Sequence, residues 1–95
     1  MPAYVIAEIE VTDPEAYAPY RARTPDVIAA HGGRFLVRGG AVEPREGAPP
    51  AGRVVVIEFP DMEAARRFYD SPAYQAILPL RQAASQGRLY LVEGM

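Results

Sequence analysis

Arg53-Val54-Val55-Val56-Ile57-Glu58-Phe59 decides the fold. Its four consecutive β-branched residues are stiff at χ1 and favour extended backbone over helix. The run shows no alternation of apolar with polar, which is the pattern of a strand covered on both faces. Pro60 stops it, and Asp61 caps a helix predicted from Met62 to about Tyr69, with Ala65, Phe68 and Tyr69 turned inward. Ser71-Pro72 repeats the cap-then-proline start for a helix ending near Ala84, which Pro79 is expected to bend. Gly87 reads as the turn before a last strand, Arg88-Leu89-Tyr90-Leu91-Val92-Glu93.

On the N-terminal side, Arg34-Phe35-Leu36-Val37-Arg38 is a second apolar strand. Gly39-Gly40 interrupts it, as at a bulge or a close backbone approach, with Ala41-Val42-Glu43 as a candidate continuation. Glu46–Gly52 is a loop by composition. Earlier still, Val5, Ala7, Ile9 and Val11 alternate with Tyr4, Ile6, Glu8 and Glu10, a strand with one strongly apolar face. Asp13-Pro14 opens a helix whose inward stripe is Tyr17, Tyr20, Thr24, Val27 and Ile28. Pro19 distorts its start, Thr24-Pro25-Asp26 predicts a kink or restart, and His31-Gly32-Gly33 ends it. The order is strand, helix, strand, strand, helix, strand. That is an α+β, ferredoxin-like βαββαβ plan: a four-stranded antiparallel sheet with helices on one face.

The chain has 95 residues and a mass of 10.4 kDa, which makes residues 1–95 a single domain. Cysteine is absent, so disulfides and thiolate metal sites are excluded. A net charge of −2 lacks the basic footprint of a nucleic-acid module. No apolar run approaches the length of a membrane helix, and Met1-Pro2-Ala3 has no basic signal-peptide start, so the expected location is cytoplasmic. All ten basic residues are arginine, which fits either GC-rich coding or selection for heat. With helices on one face only, Tyr4, Ile6, Val54 and Val56 leave the other face apolar. Monomers rarely leave such a patch in water, and a second copy packed face to face closes it. A homodimer is therefore expected.

The motif Gly32-Gly33-Arg34-Phe35-Leu36-Val37-Arg38-Gly39-Gly40 resembles the signature of the domain of unknown function 1330 family. So do Val56–Pro60, Ala64-Ala65, Ser71-Pro72-Ala73-Tyr74-Gln75, Ile77–Arg81 and Leu91–Gly94, which together span nearly the whole chain. The resemblance implies a dimeric α+β barrel. That superfamily includes antibiotic-biosynthesis-type monooxygenases, muconolactone isomerase-like proteins and haem enzymes, whereas the family itself has no settled activity.

Arg38 beside Gly39 and Gly40 is suited to hold a carboxylate or phosphate bidentately, the glycines letting a ligand reach the main chain. It is equally suited to pair with Glu58 on the adjacent strand. Glu58, the one acid in its apolar strand, is a candidate base or an ion-pair partner. Arg81 either joins Arg38 at a pocket or sits on the helix surface, and Tyr17, Tyr20 and Tyr74 either line that pocket or pack the core. His31 is read as a helix-end residue. No metal cluster, activated nucleophile or dinucleotide fingerprint is present, and no cofactor is expected. The leading reading is a homodimer that binds a small anionic or aromatic metabolite between sheet and helices. If it is an enzyme, the resemblance implies cofactor-independent oxygenation or isomerisation, with Glu58 as base and a tyrosine as proton partner. The alternatives are a non-catalytic metabolite-binding dimer and a protein-interaction module that uses the Gly47–Gly52 loop.

Overall fold

A computed structural model describes residues 1–95. Its elements are β1 (Ala3–Val11), α1 (Pro14–Ala30), β2 (Arg34–Arg38), β3 (Arg53–Phe59), α2 (Met62–Asp70), α3 (Pro72–Ala84) and β4 (Ser85–Glu93). The strands form one antiparallel sheet in the order β2-β3-β1-β4. The two strands with the strongest apolar patterns, β1 and β3, take the inner positions, where both edges find hydrogen-bond partners. Ala3, Val5, Ala7 and Ile9 of β1 and Val55, Ile57 and Phe59 of β3 are buried beneath the helices. They meet Tyr17, Tyr20 and Ile28 of α1, Ala65 and Phe68 of α2, and Tyr74 and Ile77 of α3.

Each helix starts at a residue whose side chain replaces a missing backbone acceptor. Asp13 accepts from the Ala16 amide, Asp61 from Ala64 and Ser71 from Tyr74. A cap of this kind stabilises its helix by about 1 kcal/mol. At the end of α1, the Gly32 and Gly33 amides bond back to the Ala29 and Ile28 carbonyls, and Gly32 takes the left-handed φ of 78° that this stop requires. His31 is the C-cap, its ring Nδ1 2.9 Å from the Val27 carbonyl.

Three expectations are corrected. First, α1 continues as one helix through Pro25, so the chain does not restart there. The stripe of Tyr17, Tyr20, Thr24 and Ile28 is buried along its length, so packing holds the helix together. Second, Ala41–Glu43 do not resume β2: Gly39, at φ 71°, turns the chain out of the sheet after its amide makes a last bond to the Val54 carbonyl. The strand's irregularity lies earlier, between Phe35 and Val37. Third, Gly87 is no turn. It pairs with Ile9 inside β4, which begins at Ser85 because β1 offers partners as far as Val11. As expected from helices on one face only, β3 is covered on one face within the single chain, and Val54, Val56 and Glu58 remain half-buried on the other. No helix is long and apolar enough to cross a membrane.

Gly33 marks the tightest packing of helix end on sheet. A Cβ there would lie 2.6 Å from the Phe59 ring and 2.8 Å from Ile28. Gly33→Ala is expected to lower stability by about 1–3 kcal/mol through overpacking. Gly40, with no atom within 4 Å of the same construction, should accept alanine within about 0.5 kcal/mol. Urea denaturation of the two variants checks this contrast.

Candidate ligand cleft

The cleft lies between the covered face of the sheet and α1. Val5, Ala7, Ile9, Val55, Ile57 and Leu89 form its apolar walls with Phe35 and Phe68; Tyr17, Tyr20, Thr24 and Tyr74 supply hydroxyls, and Arg21, Arg38 and Arg53 supply charge. No acidic residue lines it. It encloses about 460 Å³ counted out to its open mouth. It is a narrow slot between sheet and helix.

A one-residue irregularity in β2 aims Arg38 into this slot. Strict alternation would put Arg34, Leu36 and Arg38 on one face. In the observed register Arg34 faces Glu58 and Phe35 faces Ile57, but Val37 faces Val56 and Arg38 faces Val55. The shift moves Arg38 to the helix side with Phe35, while Arg34 stays on the outer face with Glu58. Such re-aiming is the usual consequence of a bulge. Arg38 then lies over the Phe35 ring, 4.5 Å from its centroid, and donates through Nη2 to the Arg21 carbonyl at 2.9 Å. That carbonyl is free for a structural reason. In an α-helix it would accept from the residue four positions on, which is Pro25, and proline has no N–H.

Gly39 serves Arg53. A Cβ at Gly39 would come within 2.6–2.9 Å of the Arg53 guanidinium, so the absent side chain is the space in which that group lies. Arg53 Nη2 is 3.5 Å from the Arg38 carbonyl, and its Nε is buried with no partner. Burial lowers the pKa of Arg38 from the ordinary arginine value, and the neighbouring charges of Arg21 and Arg53 lower it further. Three cations therefore stand close together without a counter-ion. The Tyr20 and Tyr74 hydroxyls hydrogen-bond at 2.8 Å. Burial, and then the Tyr74 hydroxyl, push Tyr20 far above the usual tyrosine pKa. Burial raises Tyr17 as well, opposed by Arg53 and Arg81.

Of the residues singled out in the sequence, Arg38, Tyr20 and Tyr74 come together here. Arg81 is buried beside Tyr17 and Tyr20 without reaching the lining, and its Nε has no partner. Gly39 cradles an arginine, and Gly40 lies in open space. Glu58 does not reach the cleft. It sits on the outer face, where Arg34 holds it at 2.9 Å, so the pairing with Arg38 is replaced by one with Arg34. The same face carries the Arg88–Glu8 pair at 2.9 Å. The base role read for Glu58 thus requires chemistry on a different face from the pocket. Arg21 and Arg53 were missed: the first lies on a helix whose mean pattern is apolar inward, and the second opens β3 before its apolar run. Three spatially close acids or histidines that would hold a metal do not occur.

The chain has structural relatives. It superposes on the RPA0582 protein of unknown function from Rhodopseudomonas palustris with a TM-score of 0.78 at 23% identity, covering 99% of this chain and 82% of that one. SnoaB, a cofactor-independent oxygenase from Streptomyces nogalater, gives 0.65 at 21% identity over 99% and 93% of the two chains. Rv0793 from Mycobacterium tuberculosis gives 0.61 at 17% identity over 100% and 96%. At these identities the likeness is one of fold. No curated protein matches the sequence. Residues 2–95 match the sequence family described as a domain of unknown function, DUF1330.

The buried tyrosines make stability pH-dependent in one direction. A folded-state pKa raised above the unfolded value contributes stability that is complete below the unfolded value and lost above it. Stability should therefore be level to about pH 10, the ordinary tyrosine value, and fall beyond it as unfolded Tyr20 ionises and folded Tyr20 holds its proton. Urea midpoints between pH 8 and 11 test this, and Tyr20→Phe should flatten the alkaline slope.

Proposed function

The chain belongs to the DUF1330 family, a domain of unknown function, and on that premise we propose that it is a homodimer whose subunits each bind a small organic anion in the arginine-lined cleft. The single observation that carries the binding reading is the composition of the slot: three guanidinium groups, three tyrosines, apolar walls and no carboxylate. An arginine fork matches the planar carboxylate or the phosphate oxygens, and a low-dielectric wall strengthens the pairing. Aromatic walls suit a flat body behind the charged end.

The homodimer reading rests on the outer face. Tyr90, Val92, Leu36 and Val37 remain exposed there or at its margins, beside half-buried Tyr4, Ile6, Val54 and Val56. A second copy on this face would bury the Arg34–Glu58 and Arg88–Glu8 pairs with it. Glu58 then belongs to the interface, and its charge serves assembly.

A catalytic reading draws on the likeness to SnoaB, a cofactor-independent oxygenase. The cleft's side chains narrow it. Arginines are cations throughout the physiological range, and Tyr17 and Tyr20 hold their protons. None of these groups serves as a general base near neutrality. Oxygenation or isomerisation here would therefore act on a substrate that enters already ionised, with the arginines stabilising its enolate or phenolate oxygen.

Benzoate, with benzamide as its neutral counterpart, tests the binding reading. Benzoate should bind and shift the NMR signals of residues around Tyr17 and Tyr20, whereas benzamide should not. Arg38→Ala should weaken benzoate at least tenfold, about 1.4 kcal/mol, and Glu58→Gln should leave its affinity within about twofold. Equal binding of the neutral compound would overturn the anion site. Native mass spectrometry should show twice the 10.4 kDa subunit mass; a monomer at micromolar concentration would overturn the dimer.

A further inference from the structure

The ten arginines divide by partner. Arg34, Arg45, Arg67 and Arg88 pair with glutamates. Of the other six, Arg23 and Arg66 are exposed on helix surfaces away from the cleft lining. The remaining four, Arg21, Arg38, Arg53 and Arg81, gather around Tyr17 and the slot, and none of them has a carboxylate within ion-pair distance. The chain as a whole has more acids than bases, at a net charge of −2, so the acids are elsewhere by placement and not by scarcity. Two of the four have a buried Nε with no partner, on Arg53 and Arg81, and Arg81 is only 8% exposed. Buried donors left unmade cost free energy, and like charges brought together cost more. A single oxyanion gives one guanidinium fork a partner and leaves the next unmatched.

We infer that the cleft's ligand carries a doubly charged head, such as a phosphate monoester or a pair of adjacent carboxylates, on a flat apolar body, with Arg53 and Gly39 setting the preference for the second charge. This rests on the reading of the cleft as an anion site and sharpens it. Arg38 is already committed by one Nη to the Arg21 carbonyl, which orients its remaining donors. Arg53 enters from the neighbouring strand through the gap over Gly39, with its Nε donor unspent. A head with one oxyanion meets one fork, whereas a dianion spans both. Gly39 acts through Arg53 and is a positioning residue.

Phenyl phosphate and benzoate share a ring and differ in charge, so they separate the possibilities. The second phosphate ionisation lies near pH ~6, which makes phenyl phosphate a monoanion at pH 5 and a dianion at pH 8. The titratable groups facing the slot are tyrosines and arginines, with no carboxylate or imidazole among them: Tyr17, Tyr20 and Arg21 from α1, Arg38 from β2, Arg53 from β3, and Tyr74 with nearby Arg81 from α3. The strands β1 and β4 and helix α2 contribute only apolar side chains. The one histidine, His31, packs against Phe68 behind the slot, and benzoate controls for it. Calorimetry on the wild-type protein should show phenyl phosphate binding at least tenfold tighter at pH 8 than at pH 5, with benzoate unchanged within about threefold. Arg53→Met, with its melting temperature checked, should reduce that step to below threefold, whatever its effect on overall affinity; Gly39→Ala should reduce it similarly. If benzoate binds and phenyl phosphate gains nothing at pH 8, the second charge is irrelevant and this inference falls while the anion site stands. If neither probe binds, the anion site falls and this inference with it. A step that persists in full in folded Arg53→Met overturns the role given to Arg53.

Discussion

A chain of 95 residues folded as one sheet and one helical layer covers a single sheet face, and that limit governs the rest of the molecule. Only 20 residues are buried, and nearly all of them lie between the two layers. The covered face carries small residues where the strands are central: Ala3 and Ala7 alternate with Val5 and Ile9. Large aromatics fill the space from the helix side, with Phe68 and Tyr74 rings 4.6 Å apart and Phe59 and Phe68 5.1 Å apart. Toward α1 this packing thins into a slot, because that helix leans on tyrosines whose hydroxyls must be satisfied. The slot and the open outer face are two consequences of the same shortage of material.

The slot acquires its chemistry from small departures from regular structure. A register shift in β2 exchanges the faces of Val37 and Arg38. A proline inside α1 withholds one donor, and the carbonyl it frees receives Arg38. A glycine at positive φ admits Arg53. Each departure costs some stability by itself. Each also positions a cation that regular geometry would have sent to the other face or into solvent. Sites are commonly the places where local rules are broken, since the surrounding fold holds the exception in place.

Much of the fold was legible. Alternation in Ala3–Val11, the β-branched run at Arg53–Phe59, three capped helix starts and the apolar runs at Arg34–Arg38 and Arg88–Glu93 placed all seven elements to within a few residues. The site was only partly legible. Arg38, Tyr20 and Tyr74 were identified because residue type and spacing carry information about pockets and inward faces. Alternation along β3 puts Glu58 with Val54 and Val56 on the outer face, where it is found, but the pocket lies on the other face, and Arg38, its expected partner, is carried away from it by the register shift in β2. Arg21 and Arg53 gave no local signal: an arginine at a helix flank or a strand start is ordinary, and only convergence in space makes it unusual.

Local chemistry, which the chain carries in its own order, determined the element types, their caps and stops, the antiparallel plan and the apolar excess on both sides of the sheet. These follow from interactions within a few residues, where periodicity and propensity act directly. Tertiary structure alone decided which face each arginine occupies, that Gly39 holds a side chain instead of a ligand, and that the acids stand apart from the cleft. A period of two inverts with a one-residue slip, and that slip is set by pairing with a strand 15 or more residues away, beyond the reach of any local pattern.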